Sequence, residues 1–584
     1  MKLQSISTIT SAHRIAFFVL ADVFLSIFCL IVAHQLAYID ESILMITVVT
    51  AINIFFIFLF RGYRIVWNYF SLQELRNLVF ALVLSHLLFV VIALWEGMFS
   101  GRVVVINFAF YLLSLIALRS LKRIYNELYS VNQSANKPTM VLIGVSYTLQ
   151  ALIKDNANAY NIKAILDDEE RSKNSYISNI KVQPLADFEN IIGKDDEIII
   201  AKELPYALIN QLFIHANQIG NKNIKLSKPA QEDTGSSSYN IKKISIEDLL
   251  AREPKDFDRE KTASFIQGKT VLITGAGGSI GSEIARQCVD FGAKELLLLD
   301  HSEYNLYAIG EKCKELGYAN YHLLLKNVIH KESVREVFEL HKPQILIHAA
   351  AYKHVNIVQT NIKDSVINNV VGTKNCVDLA IEYGLESCVL VSTDKAIRPT
   401  GIMGATKRIC ELYAQNVPSQ NTIISSVRFG NVLDSSGSVI PKFKSQIKKN
   451  KPLSVTHEDV TRYFMLISEA CELTLQAGSL ARGGEVFVLD MGEPIKIIDL
   501  ARKMLKLYNA EHLGVQIIGL QKGEKLYEEL LFDSSDIKTK YQSIIIAKPT
   551  KVDMNKLELD IKELTTTNPT AKKIKEIVPE FSGA

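Results

Sequence analysis

Disulfide chemistry and cysteine-held metal are the first things this chain has no means for. Its seven cysteines (Cys29, Cys288, Cys313, Cys376, Cys388, Cys410, Cys471) form no CxxC pair and no metal-ligand spacing. Their number is odd and several lie in apolar runs, so they read as reduced packing residues of a cytoplasmic compartment. An excess of charge of one sign is also missing: 65 Lys+Arg against 62 Asp+Glu leaves a formal +3. With no basic, aromatic-rich groove either, the sequence makes no case for nucleic acid as a partner, and none is expected. No small-x-small site closes the first apolar run, and three more runs follow it. A cleaved signal peptide is therefore disfavoured.

What is present is unevenly spread. Apolar residues make up 48%, with most of the excess before residue 120. They form four runs, at about 15–36, 42–60, 78–95 and 103–118, each about long enough to cross ~30 Å of hydrocarbon. Lys2 and Arg14 precede the first run, Arg61, Arg64 and Arg76 separate the second from the third, and Arg119, Lys122 and Arg123 follow the fourth. The other two loops carry Asp40, Glu41, Glu96 and only Arg102. Positive charge thus places both termini in the cytoplasm. Trp67 and Trp95 lie near span ends, as interfacial anchors. Asp22 in the first run and His86 in the third are functional candidates by default; a helix-pairing role is preferred over ion transport.

At 584 residues, length alone allows roughly four domains. The reading is a multi-pass helical membrane region (1–130), then two α/β domains. The first, 137–229, alternates apolar strands with helical stretches. Its opening turn, Gly144-Val145-Ser146-Tyr147-Thr148, lacks the repeated glycines that let a backbone approach a pyrophosphate. It reads as a degenerate Rossmann-like domain. A polar, Gly/Ser-rich linker at 230–256 leads to the catalytic domain, 257–550, and residues 551–584 read as a C-terminal tail.

The catalytic domain opens on the strand Thr270-Val271-Leu272-Ile273, followed by Thr274-Gly275-Ala276-Gly277-Gly278-Ser279-Ile280-Gly281 and a helix. Gly275 permits the tight turn, Gly278 the close approach of a phosphate, and Gly281 the packing of helix on strand. The next strand, Glu295-Leu296-Leu297-Leu298-Leu299, ends in Asp300. Its carboxylate is placed for a ribose hydroxyl and would repel a ribose phosphate, which favours NAD over NADP. Farther on, Cys388-Val389-Leu390-Val391 runs into Ser392-Thr393-Asp394-Lys395, and a new helix carries Met403 and Lys407 on one face. An acid, a base and a hydroxyl thus sit at a strand's carboxyl end, where open α/β sheets place ligands. Arg462 and Lys525 are candidates for a diphosphate, although either alone is more often a surface charge.

The motifs TGAGGSIGSE, LLLDHSEYNLY, HAAAYKHV, STDKAIRPTGIMGATKR, RFGNVLDSSGSVIP, VTRYFM and GEKLYEELL together resemble the extended short-chain dehydrogenase/reductase superfamily. Within it, the chain is similar to the membrane-anchored UDP-N-acetylglucosamine 4,6-dehydratases of bacterial polysaccharide and glycan synthesis. The resemblance implies a doubly wound Rossmann-type sheet with a smaller C-terminal substrate-binding part, in a protein of the bacterial cytoplasmic membrane. It implies that Gly275, Gly278, Ser279, Ile280, Gly281, Asp300, Ala349 and Ala350 hold NAD, and that Lys407 holds the nicotinamide ribose. Thr393 takes the superfamily's catalytic hydroxyl position, Asp394 is the acid for the departing water and Lys395 the base. Lys353, Asn431, Arg462 and Lys525 are implied at the substrate. Two departures stand out: Met403 replaces the usual tyrosine four residues before the lysine, and Gln521-Lys522 replaces the usual Arg-Pro. UDP-N-acetylglucosamine, the bilayer and a second copy of the chain are the expected partners. A UDP-sugar 4-epimerase, a membrane glycosyl-phosphate transferase and a non-catalytic NAD sensor are the alternatives.

Overall fold

The computed structural model describes residues 11–39, 43–63, 72–97, 99–130, 137–157, 159–169, 171–172, 175–229, 239–250, 257–530, 537–567 and 569–583. The chain forms two compact units, Met1–Pro138 with Lys154–Asn161, and the remainder.

The first unit contains four apolar helices, Ser11–Ala37, Ile43–Leu59, Leu72–Trp95 and Gly101–Ser130. Three are long and apolar enough to cross a membrane, within Ile15–Ala37, Leu75–Trp95 and Gly101–Leu121. The second has 17 residues, a rise of about 26 Å at 1.5 Å per residue, so the expected fourth span is shorter than the rest. Inside the bundle Arg119 grips Asp22, with Nη1 to Oδ1 at 3.2 Å and Nη2 to Oδ2 at 2.7 Å. Both side chains are buried. Arg119 is therefore not a free flanking charge, as its sequence position suggested; it neutralises the acid of the first helix. Asn53 donates to Ser26 and accepts from Ser85, while His86 meets Asn107 at 3.0 Å. Polar groups in an apolar surrounding must find partners, and here they join helices. Trp95 ends the third helix, exposed; Trp67 lies outside the described residues.

Two parallel-cored sheets form the second unit. The smaller has seven strands in the order Tyr176–Ile177, Ile180–Gln183, Asn161–Leu166, Thr139–Ile143, Glu197–Ile200, Ile224–Pro229, Tyr239–Lys243. Residues 239–250, expected in the linker, supply its edge strand and the helix Ile246–Leu250. Ile246 and Leu249 share one buried cluster with Phe443, Leu500 and Met504. Apolar side chains, not a free tether, therefore join this domain to the substrate-side part. At the turn where a dinucleotide would enter, Gly144 has φ +89° and a Cβ there would lie 2.4 Å from Lys202 Cβ. The Lys202 ammonium pairs with Glu169 and lies 3.7 Å from Asp167. The Lys202 side chain lies directly against the Gly144 turn.

The larger sheet orders its strands Tyr321–Leu325, Glu295–Asp300, Thr270–Thr274, Ile345–His348, Ser387–Val391, Ile423–Arg428, Glu485–Leu489, Ile544–Ala547, Ile537–Lys538. The first seven run parallel, Ile544–Ala547 runs antiparallel to them, and Ile537–Lys538 is antiparallel to Ile544–Ala547. Such strands are covered on both faces and so read as unbroken apolar runs. Strand order reverses between Thr270–Thr274 and Ile345–His348, where Thr274 pairs with His348. That reversal opens the crevice in which doubly wound sheets bind ligands. Beyond the sheet, three two-stranded ladders (Asn431–Val432 with Phe464–Met465, Leu453–Val455 with Val515–Ile517, Thr461–Arg462 with Ile495–Lys496) and the helices Val439–Lys448 and Ile497–Leu507 build the smaller part.

The expected C-terminal tail is not a tail. Residues 551–584 supply the helices Met554–Thr566 and Ala571–Ile577, and Leu557, Ile561, Leu564, Ile574 and Phe581 enter the same core as Met403 and Ile409. A high lysine and glutamate content hid a helical apolar stripe. Phe581 is 1% exposed, and truncating an aromatic in a closed core costs about 3–5 kcal/mol. Phe581→Ala is expected to lower the unfolding temperature of the detergent-solubilised chain by several degrees. An unchanged temperature would remove these helices from the core.

Candidate functional site

The glycine turn sits at the topological reversal. Gly275 has φ +67°, and a Cβ on it would lie 2.8 Å from the Ala350 backbone. Two strand ends thus pack here without side chains between them. At Gly281 a Cβ would stand 2.2 Å from Gly275 O and 2.8 Å from Ala276 Cα, so it sets how closely the helix Ser279–Asp290 meets the turn. A Cβ at Gly278 would meet only Gly275 O, at 3.2 Å; its free side faces the cavity. Asp300, at the end of the next strand, accepts the Gly277 N–H at 3.1 Å and the Ser302 N–H at 3.0 Å. These bonds fix its carboxylate at the mouth of a small cavity that Ala349 and Ala350 also line.

A larger cavity of about 810 Å³ runs on from the turn, lined by Gly275, Gly278, Ser279, Ile280, Gly281, Ala349, Lys353, Thr393, Lys395, Met403, Lys407 and Asn431. Turn, helix amino terminus and acid-ended second strand match what a dinucleotide requires: backbone approach at the pyrophosphate and an acceptor for a ribose hydroxyl. A π-helical turn, Ile367–Val371, borders the small cavity through Asn368. Asn369 there accepts from Tyr352 N at 2.8 Å and donates to Tyr352 O and Thr406 Oγ1, both at 3.1 Å. One side chain thereby ties the 349–352 loop to the helix carrying Lys407.

That helix, Ile402–Asn416, is buried along nearly its whole length. A clamp of charges holds it. Arg428 makes a forked pair with Glu411, Nε to Oε1 at 2.7 Å and Nη2 to Oε2 at 2.6 Å. Ser392 Oγ donates to Glu411 at 2.6 Å, and Arg408 joins Glu411 at 3.3 Å and Glu580 at 2.9 Å. Burial pushes the Glu411 carboxyl up, but Arg428 and Arg408 outweigh it and hold it below the usual glutamate range. The clamp fixes Ser392, and with it the turn that follows.

In that turn Thr393 Oγ1 donates to Asp394 Oδ1 at 2.9 Å, and Lys395 Nζ donates to the same oxygen at 3.0 Å. Asp394 is fully buried, and its Oδ2 has no hydrogen-bond partner among the described residues. Gly430 passes over it: a Cβ there would lie 2.9 Å from Oδ2. Lys395 also donates to Asn431 Oδ1 at 3.2 Å and lies 3.5 Å from Glu528. Burial pulls the Lys395 ammonium down, yet Asp394 and Glu528 together hold it above the ordinary lysine value. The lowered value that a lysine base needs is thus not met in this arrangement. Lys407, by contrast, is pulled down by burial, with Cys410 and Glu411 opposing. Met403, one helical turn earlier, is buried and lines the same cavity. His348 beneath them bonds Thr274 and Thr373 and is driven down to about 3 by burial; it is a neutral packing group.

A second cavity, about 320 Å³, adjoins the first through Lys395, Met403 and Asn431 and is lined by Arg462, Glu524, Lys525 and Glu528. Asn431 sits at this junction. Arg462 donates to Glu524 at 3.2 Å and to the carbonyls of Thr461, Lys525 and Leu526. Lys525 donates to Ile397 O at 2.8 Å.

Several residues escaped the sequence reading. Glu528 was visible only as one acid in a charged run, and nothing local marked it as buried. Ser279 accepts the Ser436 N–H at 3.1 Å, so the 435–438 loop closes over the glycine turn. At the opposite end of the strands, Glu295, His322 and His341 place ligand atoms within 4.8 Å of one another. Scattered spacing hid this set.

Over residues 271–549 the sequence matches the family described as polysaccharide biosynthesis protein. It is 37% identical over 515 residues to the capsular polysaccharide biosynthesis protein CapD of Staphylococcus aureus, covering 84% of this chain and 85% of that one. An uncharacterized membrane protein of Methanocaldococcus jannaschii is 36% identical over 55% of this chain and 98% of its own length. A UDP-glucose 4-epimerase of Rickettsia rickettsii is 31% identical over 45% of this chain and 77% of its own length.

Two variants test the geometry. Gly281→Ala drives a Cβ into the Gly275 carbonyl and is expected to cut bound dinucleotide at least tenfold, read by absorbance of the released cofactor. Glu411→Gln leaves the Arg428 charge buried and is expected to cost about 3–5 kcal/mol. In the parent chain the Glu411 contribution is complete above the unfolded value of about 4.3. It is lost as pH falls through the lower folded value. Unfolding temperature against pH is therefore expected to fall less steeply on the acid side in Glu411→Gln than in the parent.

Proposed function

We propose that this chain, which belongs to the polysaccharide biosynthesis protein family, removes water from a UDP-N-acetylhexosamine, UDP-N-acetylglucosamine above all. The product is a UDP-linked 4-keto-6-deoxy sugar for bacterial glycan or polysaccharide synthesis. The observation that carries the reading is the Asp394–Lys395 pair, 3.0 Å apart at the junction of the two cavities. An acid and a base beside a dinucleotide crevice suit elimination after oxidation of the sugar. Hydride transfer alone needs neither.

When bound, NAD supplies the acceptor for hydride from sugar carbon 4 and the donor that returns it to carbon 6. Lys407 holds the nicotinamide ribose. Thr393 offers the nearest hydroxyl to the sugar's carbon-4 hydroxyl, in place of the tyrosine that Met403 replaces. The ketone at carbon 4 acidifies the proton at carbon 5, Lys395 takes that proton, and Asp394 gives one to the departing hydroxyl. Arg462 and Lys525 face the diphosphate, and Lys353 lies toward the sugar. The membrane helices anchor the chain in the bacterial cytoplasmic membrane with the α/β domains on the cytoplasmic side.

A UDP-sugar 4-epimerase is the second reading, favoured by the epimerase relative. It leaves the acid–base pair without a task. The full chain in detergent, incubated with UDP-N-acetylglucosamine, is expected to release a product lighter by one water with no net NADH. An isomer of unchanged mass would support the epimerase, and accumulating NADH a plain dehydrogenase. Lys395→Ala and Asp394→Asn are each expected to lose on the order of a hundredfold or more in turnover. Met403→Leu, a volume-conserving apolar swap costing less than ~1.5 kcal/mol, is expected to keep much of it. Thr393→Val falls between these or lower. Near-parent turnover of Lys395→Ala with cofactor bound would remove Lys395 as the base.

A further inference from the structure

Lys395 has a difficulty that the cluster around it also answers. Two carboxylates flank the one ammonium: Asp394 at 3.0 Å and Glu528 at 3.5 Å. While both are anionic, they hold its proton in place. Glu528 is the less secured of the two. Its side chain is 1% exposed, its Oε1 reaches Lys395 and Arg462 only at ion-pair distances, 3.5 and 3.7 Å. Its Oε2 is buried with no hydrogen-bond partner among the described residues. A buried carboxylate oxygen left bare is far more costly as an anion than as a neutral acid.

The groups facing Glu528 are Lys395 and Asp394 from the turn after the fifth parallel strand, Arg462 from the ladder Thr461–Arg462, and Lys525 from its own segment. Burial pushes its carboxyl above the ordinary glutamate value, Lys395, Arg462 and Lys525 pull it down, and Asp394 pushes it up. The cations that oppose this rise, Lys395 first and then Arg462 and Lys525, all line the second cavity. Arg462 is the group through which a ligand reaches it.

We propose that Glu528 is a positioning residue that couples docking of a nucleoside diphosphate on Arg462 to the release of the Lys395 proton. The inference rests on the UDP-sugar reading of the second cavity. A diphosphate at Arg462 brings negative charge beside Glu528 and cancels the guanidinium that stabilised it. Glu528 then takes one proton from solvent, forming an O–H bond on its bare oxygen. Lys395 is left with Asp394 as its one anionic neighbour. A single transfer, with N–H broken on Lys395 and O–H formed on Asp394, then yields a neutral amine and a carboxylic acid. These are the base and the acid that the elimination needs, from a pair that at rest is charged the other way. Catalysis restores the starting state: Lys395 regains a proton from carbon 5, and Asp394 loses one to the departing hydroxyl.

The experiment is calorimetric titration of the full, detergent-solubilised chain with UDP, in buffers of differing ionisation enthalpy at one near-neutral pH. The expected result is uptake approaching one proton per UDP, lost in Glu528→Gln, which carries a neutral amide where the acid would form. The Gln variant is expected to bind UDP at least as tightly, since no proton must be acquired. UDP binding to the parent chain without proton uptake, or equal uptake in the Gln variant, would overturn the coupling and leave the dehydratase reading intact. Failure of the parent chain to bind UDP at all would overturn both. Should Glu528→Gln not fold, infrared difference spectra of the parent chain decide: UDP is expected to raise a protonated-carboxyl band, and its absence refutes the coupling.

Discussion

The buried bond between Glu411 and Arg428 is the constraint on which the site depends. It joins three pieces that the chain makes separately: the strand end carrying Ser392, the helix carrying Met403 and Lys407, and the strand Ile423–Arg428 that leads to Gly430 and Asn431. Through Arg408 it also reaches Glu580 in the C-terminal segment. Taking such charges out of water is unfavourable in itself and is offset only where the geometry is forked and the remaining oxygens are satisfied. Here Ser392 and Arg408 complete that satisfaction. The consequence is positional: the Asp394–Lys395 turn is suspended between two elements that cannot shift independently.

Around that fixed frame, the reactive groups are held in opposed states. Lys407 is drawn toward neutrality by burial, which outweighs Cys410 and Glu411, whereas Lys395 is drawn toward charge by Asp394 and Glu528. The two lysines belong to one cavity and differ in the company they keep. Two carboxylates around a single ammonium can be relieved by one proton, and the smaller part of the domain supplies both the second carboxylate and the cations that govern it. The same smaller part shares its apolar core with the helix Ile246–Leu250 of the first α/β domain, so that domain braces the substrate side while Lys202 packs against its own Gly144 turn.

Much of this was legible in the sequence, and what was legible shares a cause. The glycine turn, Asp300, Thr393 to Lys407 and the parallel strands are written in short, contiguous patterns. Each is fixed by local backbone geometry or by a side chain's place on one helix face. Glu528 and Arg119 were not readable in that way. Glu528 lies far along the chain from Lys395 and is buried only because the smaller part folds back. Arg119 looked like a flanking charge because its partner Asp22 is on the first helix. The helices at 554–577 were missed for another reason. Leu557, Ile561 and Leu564 do keep a helical period, but lysines and glutamates around them gave the segment the composition of a solvated tail.

The central claim is that hydride leaves carbon 4 of a UDP-N-acetylhexosamine and returns to carbon 6 after water has gone. Its most direct test is UDP-N-acetylglucosamine carrying deuterium at carbon 4, turned over by the full chain, with the label located by NMR. The account predicts a dehydrated product with the deuterium on carbon 6. Deuterium back on carbon 4 of an intact, epimerised sugar would contradict it.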